Sequence, residues 1–218
     1  MLTERPFRRN CLPDACAYNP RHGLYASQGF PMADFAAARL NMVESQVRTA
    51  DVTDVRIHDA MRAIPRERFV PATKSHLAYT DIEVEYAPGR WLLKPRDVAK
   101  LLQALRPMPG ERVLAIAAPY AAAVLEELGA HVTRAEAGEA LPGGDYDIIV
   151  CEGAVTRAPQ AWTDALAMNG RLGVVEREGP VGKAVLYVRA ADGLGRRDLF
   201  DSFAPVLAGF EVQHGFAF

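Results

Sequence analysis

The sequence predicts an α/β fold, a doubly wound and mostly parallel sheet with helices on both faces, and three observations support this prediction. Strand-like and helix-like segments alternate through the second half of the chain. Residues 111–136 have the outline of a nucleotide-binding strand-turn-helix-strand unit. The last two predicted strands follow each other without a helix between them, which indicates antiparallel pairing at one edge of the sheet.

The nucleotide-binding unit is predicted from a buried strand at 113–116, an alanine-rich helix at 121–128 that ends at Gly129, and a second strand at 131–135. The turn between the first strand and the helix contains no glycine and reads Ala117, Ala118, Pro119, Tyr120. Glycine lets a backbone turn approach a cofactor closely. The sequence therefore predicts the scaffold of a cofactor site without the residues that would bind the cofactor.

The segment before this unit is predicted to be mainly helical over 33–71. A second helix there begins at Thr53 or Asp54 and ends at Pro65, with its inward face formed by Ile57, Ala60, Met61 and Ile64. A polar connection follows at 72–81, then a short extended piece at 82–86. Pro95 fits the first turn of another helix.

The segment after the unit is predicted to continue the alternation. A buried strand at 145–151 precedes a helix at 159–168, whose inner side carries Trp162 and Leu166. Asn169 and Gly170 are then expected to form a turn. Three further strands are predicted at 171–175, 183–189 and 197–202.

The domain organisation predicted from composition is simple. Residues 1–31 are rich in proline and arginine without periodicity and are expected to be a disordered extension, with Met32 as an alternative start. Residues 32–218 are expected to form one domain, with a helical part at 32–108 and a nucleotide-binding core at 109–218.

Composition excludes several functional classes. The formal net charge of −2 favours neither nucleic acid nor a membrane surface as a partner. No apolar run is long enough to span a membrane or to act as a signal peptide, so a cytoplasmic location is expected. Three cysteines and scattered histidines predict neither a disulfide framework nor a metal site, and Cys151 is expected to be a packing residue.

Several segments resemble one enzyme family, the protein-L-isoaspartate O-methyltransferases, and in particular its divergent alphaproteobacterial branch. These segments are MVESQVR (42–48), AMRAIPRERFVP (60–71), AY (78–79), GRWLLKPRDVAKLLQAL (89–105), PGERVL (109–114), AAAVLEELGAHV (121–132), YDIIVCEGAV (146–155) and NGRLGVV (169–175). The resemblance implies a Rossmann-like class I methyltransferase fold that uses S-adenosylmethionine. It also implies esterification of isomerised aspartate side chains, which then revert through a succinimide.

The cofactor loop departs from the family pattern. The family has a loop similar to VLEIGTGSGY, whereas this chain has VLAIAAPY at 113–120, two residues shorter. Ala115 stands where the family has an acid, and the glycine-free turn Ala117, Ala118, Pro119 and Tyr120 stands where the family has its glycines. Added β-carbons crowd a ligand and proline removes a donor, so binding of S-adenosylmethionine is expected to be weak or absent.

The substrate-side loop also departs from the family. The family motif GQTISQP places a catalytic hydroxyl beside the transferring methyl, but residues 89–95 read GRWLLKP with Leu93 at that position. Gly89 and Pro95 keep the loop's outline without its chemistry, because leucine neither donates nor accepts a proton. We expect Trp91, Leu92 and Leu93 to fill the former substrate pocket; a new apolar ligand or partner groove is the alternative.

A third departure shortens the sheet. Only AGEALPGG (137–144) separates Glu136 from the next strand, which leaves no room for the helix, strand and helix that the family has there. In the family an acid at the position of Glu136 holds the ribose hydroxyls; a solvated strand-end acid is the alternative. The missing strand is expected to leave an exposed sheet edge through which a homo-oligomer could form.

The remaining polar candidates carry weaker signals. Glu152 is expected to follow a strand end, where open α/β sheets bind ligands. Asp145 and Asp147 are expected to be capping or solvated groups. A charged run, Arg62, Arg66, Glu67 and Arg68, is expected to be a solvated face, with peptide binding as the alternative.

Two functional hypotheses follow. The three departures favour a non-catalytic family member that acts as a binding or assembly module for a protein or peptide. The family resemblance alone favours an active S-adenosylmethionine-dependent methyltransferase in protein repair. Fold does not decide between them, because function depends on the site.

Overall fold

The computed structural model describes residues 34–211, and the extension expected at 1–31 lies outside them. The helices are α1 (Phe35–Met42), α2 (Val55–Ala63), α3 (Pro95–Leu105), α4 (Pro119–Glu127) and α5 (Gln160–Asp164). The strands are β1 (Val84–Ala87), β2 (Arg90–Leu92), β3 (Arg112–Ile116), β4 (His131–Ala135), β5 (Tyr146–Val155), β6 (Leu166–Glu176), β7 (Gly182–Ala190) and β8 (Gly193–Ser202). Shorter helical turns occupy Val43–Val47, Arg48–Ala50, Arg66–Phe69 and Ala72–Leu77.

The central sheet has six strands in the order β4-β3-β5-β6-β7-β8. The pairs from β4 to β6 are parallel, whereas β7 and β8 add in antiparallel fashion. This arrangement confirms the predicted fold class, including the antiparallel strands at one edge. At the other edge, residues 136–145 contain neither helix nor strand, so β4 is the edge strand within the part of the chain that the structure describes.

Two apolar clusters lie on opposite faces of this sheet. Successive residues of a strand point to opposite faces, so Val113 and Ala115 join the cluster formed with α2, α3 and α4. Leu114 and Ile116 join the second cluster, which includes Trp162 from α5. The central strands are buried on both faces, as expected for a parallel sheet.

The N-terminal helices begin and end where side-chain chemistry dictates. Asp54, not Thr53, is the N-cap of α2, and its carboxylate accepts a hydrogen bond from the backbone N–H of Arg56 at 3.0 Å. The helix ends at Ala63 because the residue before Pro65 is forced out of the helical conformation. The predicted inward residues Ile57 and Met61 are fully buried.

The structure corrects two predictions around α5. The helix predicted at 159–168 spans only Gln160–Asp164, and Leu166 already belongs to β6. The expected turn at Asn169 and Gly170 lies within β6, where Asn169 adopts φ 64°. Asparagine tolerates this left-handed conformation, so the chain kinks inside the strand instead of starting a new one.

A short hairpin precedes α3. Its first strand, β1, lies in the extended piece predicted near 82–86, whereas its second strand, β2, was not predicted. Strands β1 and β2 pair with each other and form a separate two-stranded sheet. Gly89 at their turn has φ 67°, and a β-carbon there would lie 2.6 Å from Cβ of Ala208. Glycine is therefore required at this turn both for its conformation and for the close approach of Ala208.

Candidate functional site

The candidate site lies at the carboxyl ends of β3, β4 and β5, where open α/β sheets bind their ligands. The turn from β3 to α4 passes through Ala117, whose φ is 45°. This left-handed conformation is one in which glycine is preferred, and Ala117 adopts it with a β-carbon present. The backbone N–H of Ala117 donates to the carbonyl of Ala135 at 2.9 Å, which holds the turn against the end of β4.

The side chains of this turn face the interior of the protein. Relative exposure is 1% for Ala115, 3% for Ala117 and 0% for Tyr120. Pro119 is the first residue of α4, a position where a missing N–H costs the helix nothing. Ala115, Ala117 and Tyr120, predicted to be remnants of a cofactor site, are therefore packed as core.

The β1–β2 hairpin lies over the same turn. The hydroxyl of Tyr86 donates to the carbonyl of Ala117 at 3.1 Å. From the other strand, Arg90 donates to the carbonyl of Ala137 at 3.1 Å and lies 3.5 Å from the carboxylate of Glu136. Glu136 is 60% exposed and its partner is this arginine. The hairpin thereby covers the ends of β3 and β4.

The substrate-side residues are also packed. Leu92 and Leu93 are both fully buried in the larger apolar cluster, and Pro95 is the first residue of α3. Trp91 is half-buried in β2, opposite Glu85 of β1. At the position where the family resemblance implies a catalytic hydroxyl, the side chain of Leu93 presents only carbon atoms.

Arg66 is fully buried, which corrects the prediction that it belongs to a solvated charged face. Its Nε donates to the carbonyl of Ala78 at 2.8 Å, and an Nη donates to the carbonyl of Leu93. The guanidinium lies 4.6 Å from the centroid of the Tyr120 ring, a cation–π contact. Burial lowers the pKa of Arg66 from its ordinary value.

Glu152 is the second buried charged residue of the site. It lies inside β5, not after its end as predicted, at an irregularity in the pairing with β6. Its Oε2 accepts hydrogen bonds from the backbone N–H groups of Tyr120 at 3.1 Å and Ala121 at 3.2 Å. The amino end of α4 favours a negative group at this position. Burial raises the pKa of Glu152 to about 7, against the opposing effect of Arg66.

Three polar atoms in this buried cluster lack a hydrogen-bond partner among residues 34–211. They are Nη1 of Arg66, the hydroxyl of Tyr120 and Oε1 of Glu152. Unpaired buried polar atoms destabilise a fold by about 1–3 kcal/mol each. Sequence reasoning named Tyr120 and Glu152 as candidates but did not join them to Arg66, which looked like part of a charged surface. The contacts of this cluster link residues far apart in the chain, so no local pattern marks them.

The other polar candidates have structural roles. The carboxylate of Asp147 accepts a hydrogen bond from the backbone N–H of Arg112 at 2.8 Å and so links β5 to β3. Cys151 is fully buried, and burial raises the pKa of its thiol. Over residues 34–211 no three metal-ligating side chains cluster, and no helix in that range is long and apolar enough to cross a membrane.

The strand order of the central sheet and the position of the site at its carboxyl edge are those of a Rossmann-like methyltransferase fold. A Plasmodium falciparum protein described as a protein-L-isoaspartate O-methyltransferase, in complex with S-adenosyl-L-homocysteine, superimposes with a TM-score of 0.63 at 17% identity, over 78% of this chain and 97% of that chain. A second solved protein-L-isoaspartate O-methyltransferase has a TM-score of 0.64 at 19% identity, over 79% of this chain and 67% of that chain.

Sequence comparison identifies the family within this fold. The family model described as Protein-L-isoaspartate(D-aspartate) O-methyltransferase (PCMT) matches residues 38–143. The protein-L-isoaspartate O-methyltransferase of Methylorubrum extorquens is 35% identical over 211 residues, 82% of this chain and 92% of the relative. The relative of the same name in Methylorubrum populi is 34% identical, over 79% and 96% of the two chains. The chain belongs to the protein-L-isoaspartate O-methyltransferase family.

Proposed function

We propose that this chain is a non-catalytic member of its family, in which the cofactor cleft is filled by the protein's own residues. The retained fold then serves as a binding or assembly module for a protein or peptide. Nucleic acid and membranes are not the proposed partners, because a chain with a net charge of −2 is not attracted in general to negatively charged surfaces. A cytoplasmic location and homo-oligomer formation through the β4 edge stay predictions.

The observation that carries this proposal is the position of the Glu152 carboxylate. In nucleotide-binding α/β folds the N–H groups at the amino end of the first helix bind an anionic group of the ligand. In this chain the N–H groups of Tyr120 and Ala121 already donate to Glu152. The protein thus supplies a carboxyl group of its own as the hydrogen-bond acceptor at the place where the cofactor would present an anionic group.

Two further observations support the proposal that the cofactor cleft is filled. The β-carbon of Ala117 stands where close backbone approach requires glycine, and Tyr86 donates its hydroxyl to that residue's carbonyl. The residues present therefore do not fit S-adenosylmethionine as the chain is folded. Binding it would require the hairpin to move and Glu152 to release two buried hydrogen bonds, which disfavours the bound state.

The active methyltransferase is the second candidate, and one observation favours it. The Methylorubrum extorquens relative, which is named as the enzyme, is 35% identical to this chain. The match covers 92% of that relative's length. That candidate requires a rearranged cofactor turn and a catalytic group other than the side chain at position 93.

The deciding experiment is a methyl-transfer assay with an isoaspartyl peptide and S-adenosylmethionine. The Methylorubrum extorquens relative, assayed in parallel, is the positive control for substrate and cofactor. We expect isoaspartyl methyl ester from the relative and none from this chain. Turnover by this chain above the no-protein background would refute the proposal and establish the second candidate.

A further inference from the structure

A groove that the cofactor site does not include lies between the carboxyl end of α3 and the edge strand β8. Its volume is about 440 Å³, and it is lined by Leu105, Leu186, Val188, Gly195 and Arg197, among others. A second cavity of about 500 Å³ continues it along α3 and shares Ala104, Arg106 and Arg197 with it. Pockets of several hundred Å³ are large enough to hold several side chains of a ligand.

The groove exists because β8 carries a glycine where a side chain would close it. Gly195 pairs with Val188 and Arg197 pairs with Leu186, so these four residues share the face on which α3 packs. Helix α3 packs against β6 and β7, and β8 lies beyond them at the sheet edge. A β-carbon on Gly195 would meet only the carbonyl of Val188, at 3.7 Å, so the space above it is open.

The charged residues around the groove leave a local excess of positive charge. The lining arginines Arg171 and Arg196 are paired with Glu111 and Glu176, each at 2.9 Å. The acid at its far end, Asp54, is paired with Arg56 at 2.7 Å. Within residues 34–211, the side chains of Lys100, Arg106 and Arg197 form no salt bridge or hydrogen bond. The ammonium of Lys100 lies 5.0 Å from the centroid of the Phe200 ring, and the backbone carbonyl of Arg106 accepts from Arg171 at 3.2 Å. Three cations thus border an apolar floor in a chain whose net charge is negative.

The free backbone edge of β8 adds a second recognition element beside the groove. Among residues 34–211, β8 pairs with β7 alone, and its residues from Gly193 to Asp198 are exposed. An edge strand offers unpaired N–H and C=O groups to an extended segment, which then adds as a further strand. A segment added there places alternate side chains over Gly195 and beside Arg197.

We propose that this groove and the β8 edge together bind an acidic protein segment in an extended conformation. Its carboxylates pair with Arg106 and Arg197, and its small apolar side chains fill the space above Gly195. The inference names the partner class of the proposed binding role and rests on that role. It does not depend on whether methyl transfer is lost, since the groove lies apart from the residues that cover the cofactor turn.

The test is fluorescence anisotropy of a labelled peptide with the repeat Glu-Glu-Val-Val, titrated with the full chain. This repeat puts an acid and a valine on each face of an extended segment. We expect saturable binding that a Lys-Lys-Val-Val peptide does not reproduce. Methylation of the backbone nitrogens that face β8 is expected to abolish binding, because it removes donors to the strand edge.

Variants of the chain locate the site. We expect Arg197→Glu and Gly195→Val each to weaken binding by about tenfold or more, by charge reversal and by filling the groove. Arg106→Gly also removes a cation and suits the left-handed conformation of that residue, φ 48°, so it is expected to fold normally. The matched control is Arg157→Glu, the same charge change at an exposed residue that lines neither of the two cavities, with affinity unchanged within about twofold.

Four outcomes would overturn the proposal. They are absence of saturation below millimolar concentration, equal binding of the lysine peptide, equal binding of the methylated peptide, and equal weakening by Arg157→Glu. A dimer in sedimentation equilibrium that Gly195→Val dissociates, without any peptide binding, would assign the edge to a second copy of this chain instead. Thermal unfolding of each variant verifies that the fold is intact.

Discussion

The carboxylate of Glu152 and the backbone N–H of Tyr120 are joined by a hydrogen bond of 3.1 Å in the interior of the protein. The ring of Tyr120 in turn lies 4.6 Å from the guanidinium of Arg66. These contacts fix the amino end of α4 against β5 and against Arg66. A buried polar cluster of this kind holds one conformation firmly when its atoms are paired, and destabilises the fold when they are not.

The first prediction concerns the cofactor. We expect neither S-adenosylmethionine nor S-adenosylhomocysteine to bind with a dissociation constant below ~1 mM, which corresponds to losing about 4 kcal/mol from a micromolar site. The reason is that Ala117 and Glu152 occupy the positions of the close-approach glycine and of the bound anion. Isothermal titration calorimetry measures this, with the Methylorubrum extorquens relative as the control. One-to-one binding in the micromolar range would contradict it.

The second prediction concerns the pH dependence of stability. The pKa of Glu152 is raised to about 7 in the folded state, so the folded protein keeps a proton that the unfolded chain loses above its ordinary pKa of 4.5. The contribution of Glu152 to the free energy of unfolding is therefore fully present below pH 4.5 and is lost as the pH rises through about 7. The loss is on the order of 3 kcal/mol.

The variant Glu152→Gln tests this. Glutamine still accepts from the N–H of Tyr120 but carries no charge. The unfolding free energy of the variant minus that of wild type should therefore increase between pH 5 and pH 8, by an amount similar to the loss given above. Urea unfolding at several pH values gives the two free energies. Glu127→Gln, on the exposed side of α4, is the control and should leave the difference constant. A Glu152→Gln difference that does not change with pH would exclude a buried titrating Glu152.

The third prediction concerns Arg66. Replacing it with methionine leaves the carbonyls of Ala78 and Leu93 without a donor and Glu152 without a nearby cation. We expect destabilisation of about 3 kcal/mol or more. Arg68→Met is the matched control, because Arg68 lies in the same helical turn and is exposed, and its change should stay within about 0.5 kcal/mol.

A double variant separates the contributions of this pair. In the double variant Arg66→Met with Glu152→Gln, a neutral amide replaces the carboxyl group. The loss of stability caused by Arg66→Met should therefore be smaller than in the wild-type background. Chemical denaturation of the four proteins gives the coupling free energy. Strictly additive losses would show that the two residues do not interact.

The sequence was sufficient for most elements of the fold, because local signals marked them. The strand His131–Ala135 has its predicted bounds, since Gly129 adopts a left-handed φ of 87° and ends the preceding helix. Helix α3 begins at Pro95 as predicted, because proline suits the first helical position. Each of these signals acts within a few residues of the chain.

What the sequence could not predict depends on distant contacts. Arg66 carries no local mark of burial, and its partners Leu93 and Tyr120 come from other parts of the chain. Strand β2 was missed because residues 89–95 were interpreted as a loop, and the turn that precedes it packs against Ala208 from the far end of the chain. The length of β5 was underestimated because Glu152 looked like a strand end, whereas a carboxylate inside a buried strand requires the amino end of α4 beside it.

The last prediction is that Leu93→Ser will not produce methyl transfer to an isoaspartyl peptide. A hydroxyl at that position has no positioned cofactor or substrate carboxylate to act on, and positioning supplies several kcal/mol of catalysis that a single group does not replace. Leu93 is fully buried, so the change removes apolar contacts and leaves a cavity, at an expected loss of about 3 kcal/mol. Leu40→Ser, at a residue 52% exposed, is the control and should lose under about 1 kcal/mol.

The measurements are isoaspartyl methyl ester formation and thermal unfolding. Both are made on wild type and Leu93→Ser, with and without a glycine-rich replacement of residues 117–120. The replacement alone should not restore activity, because Glu152 still occupies the amino end of α4. Activity of the Leu93→Ser single variant would mean that the cofactor binds despite Ala117 and Glu152. The proposal that the protein's own residues fill the cofactor cleft would then be wrong.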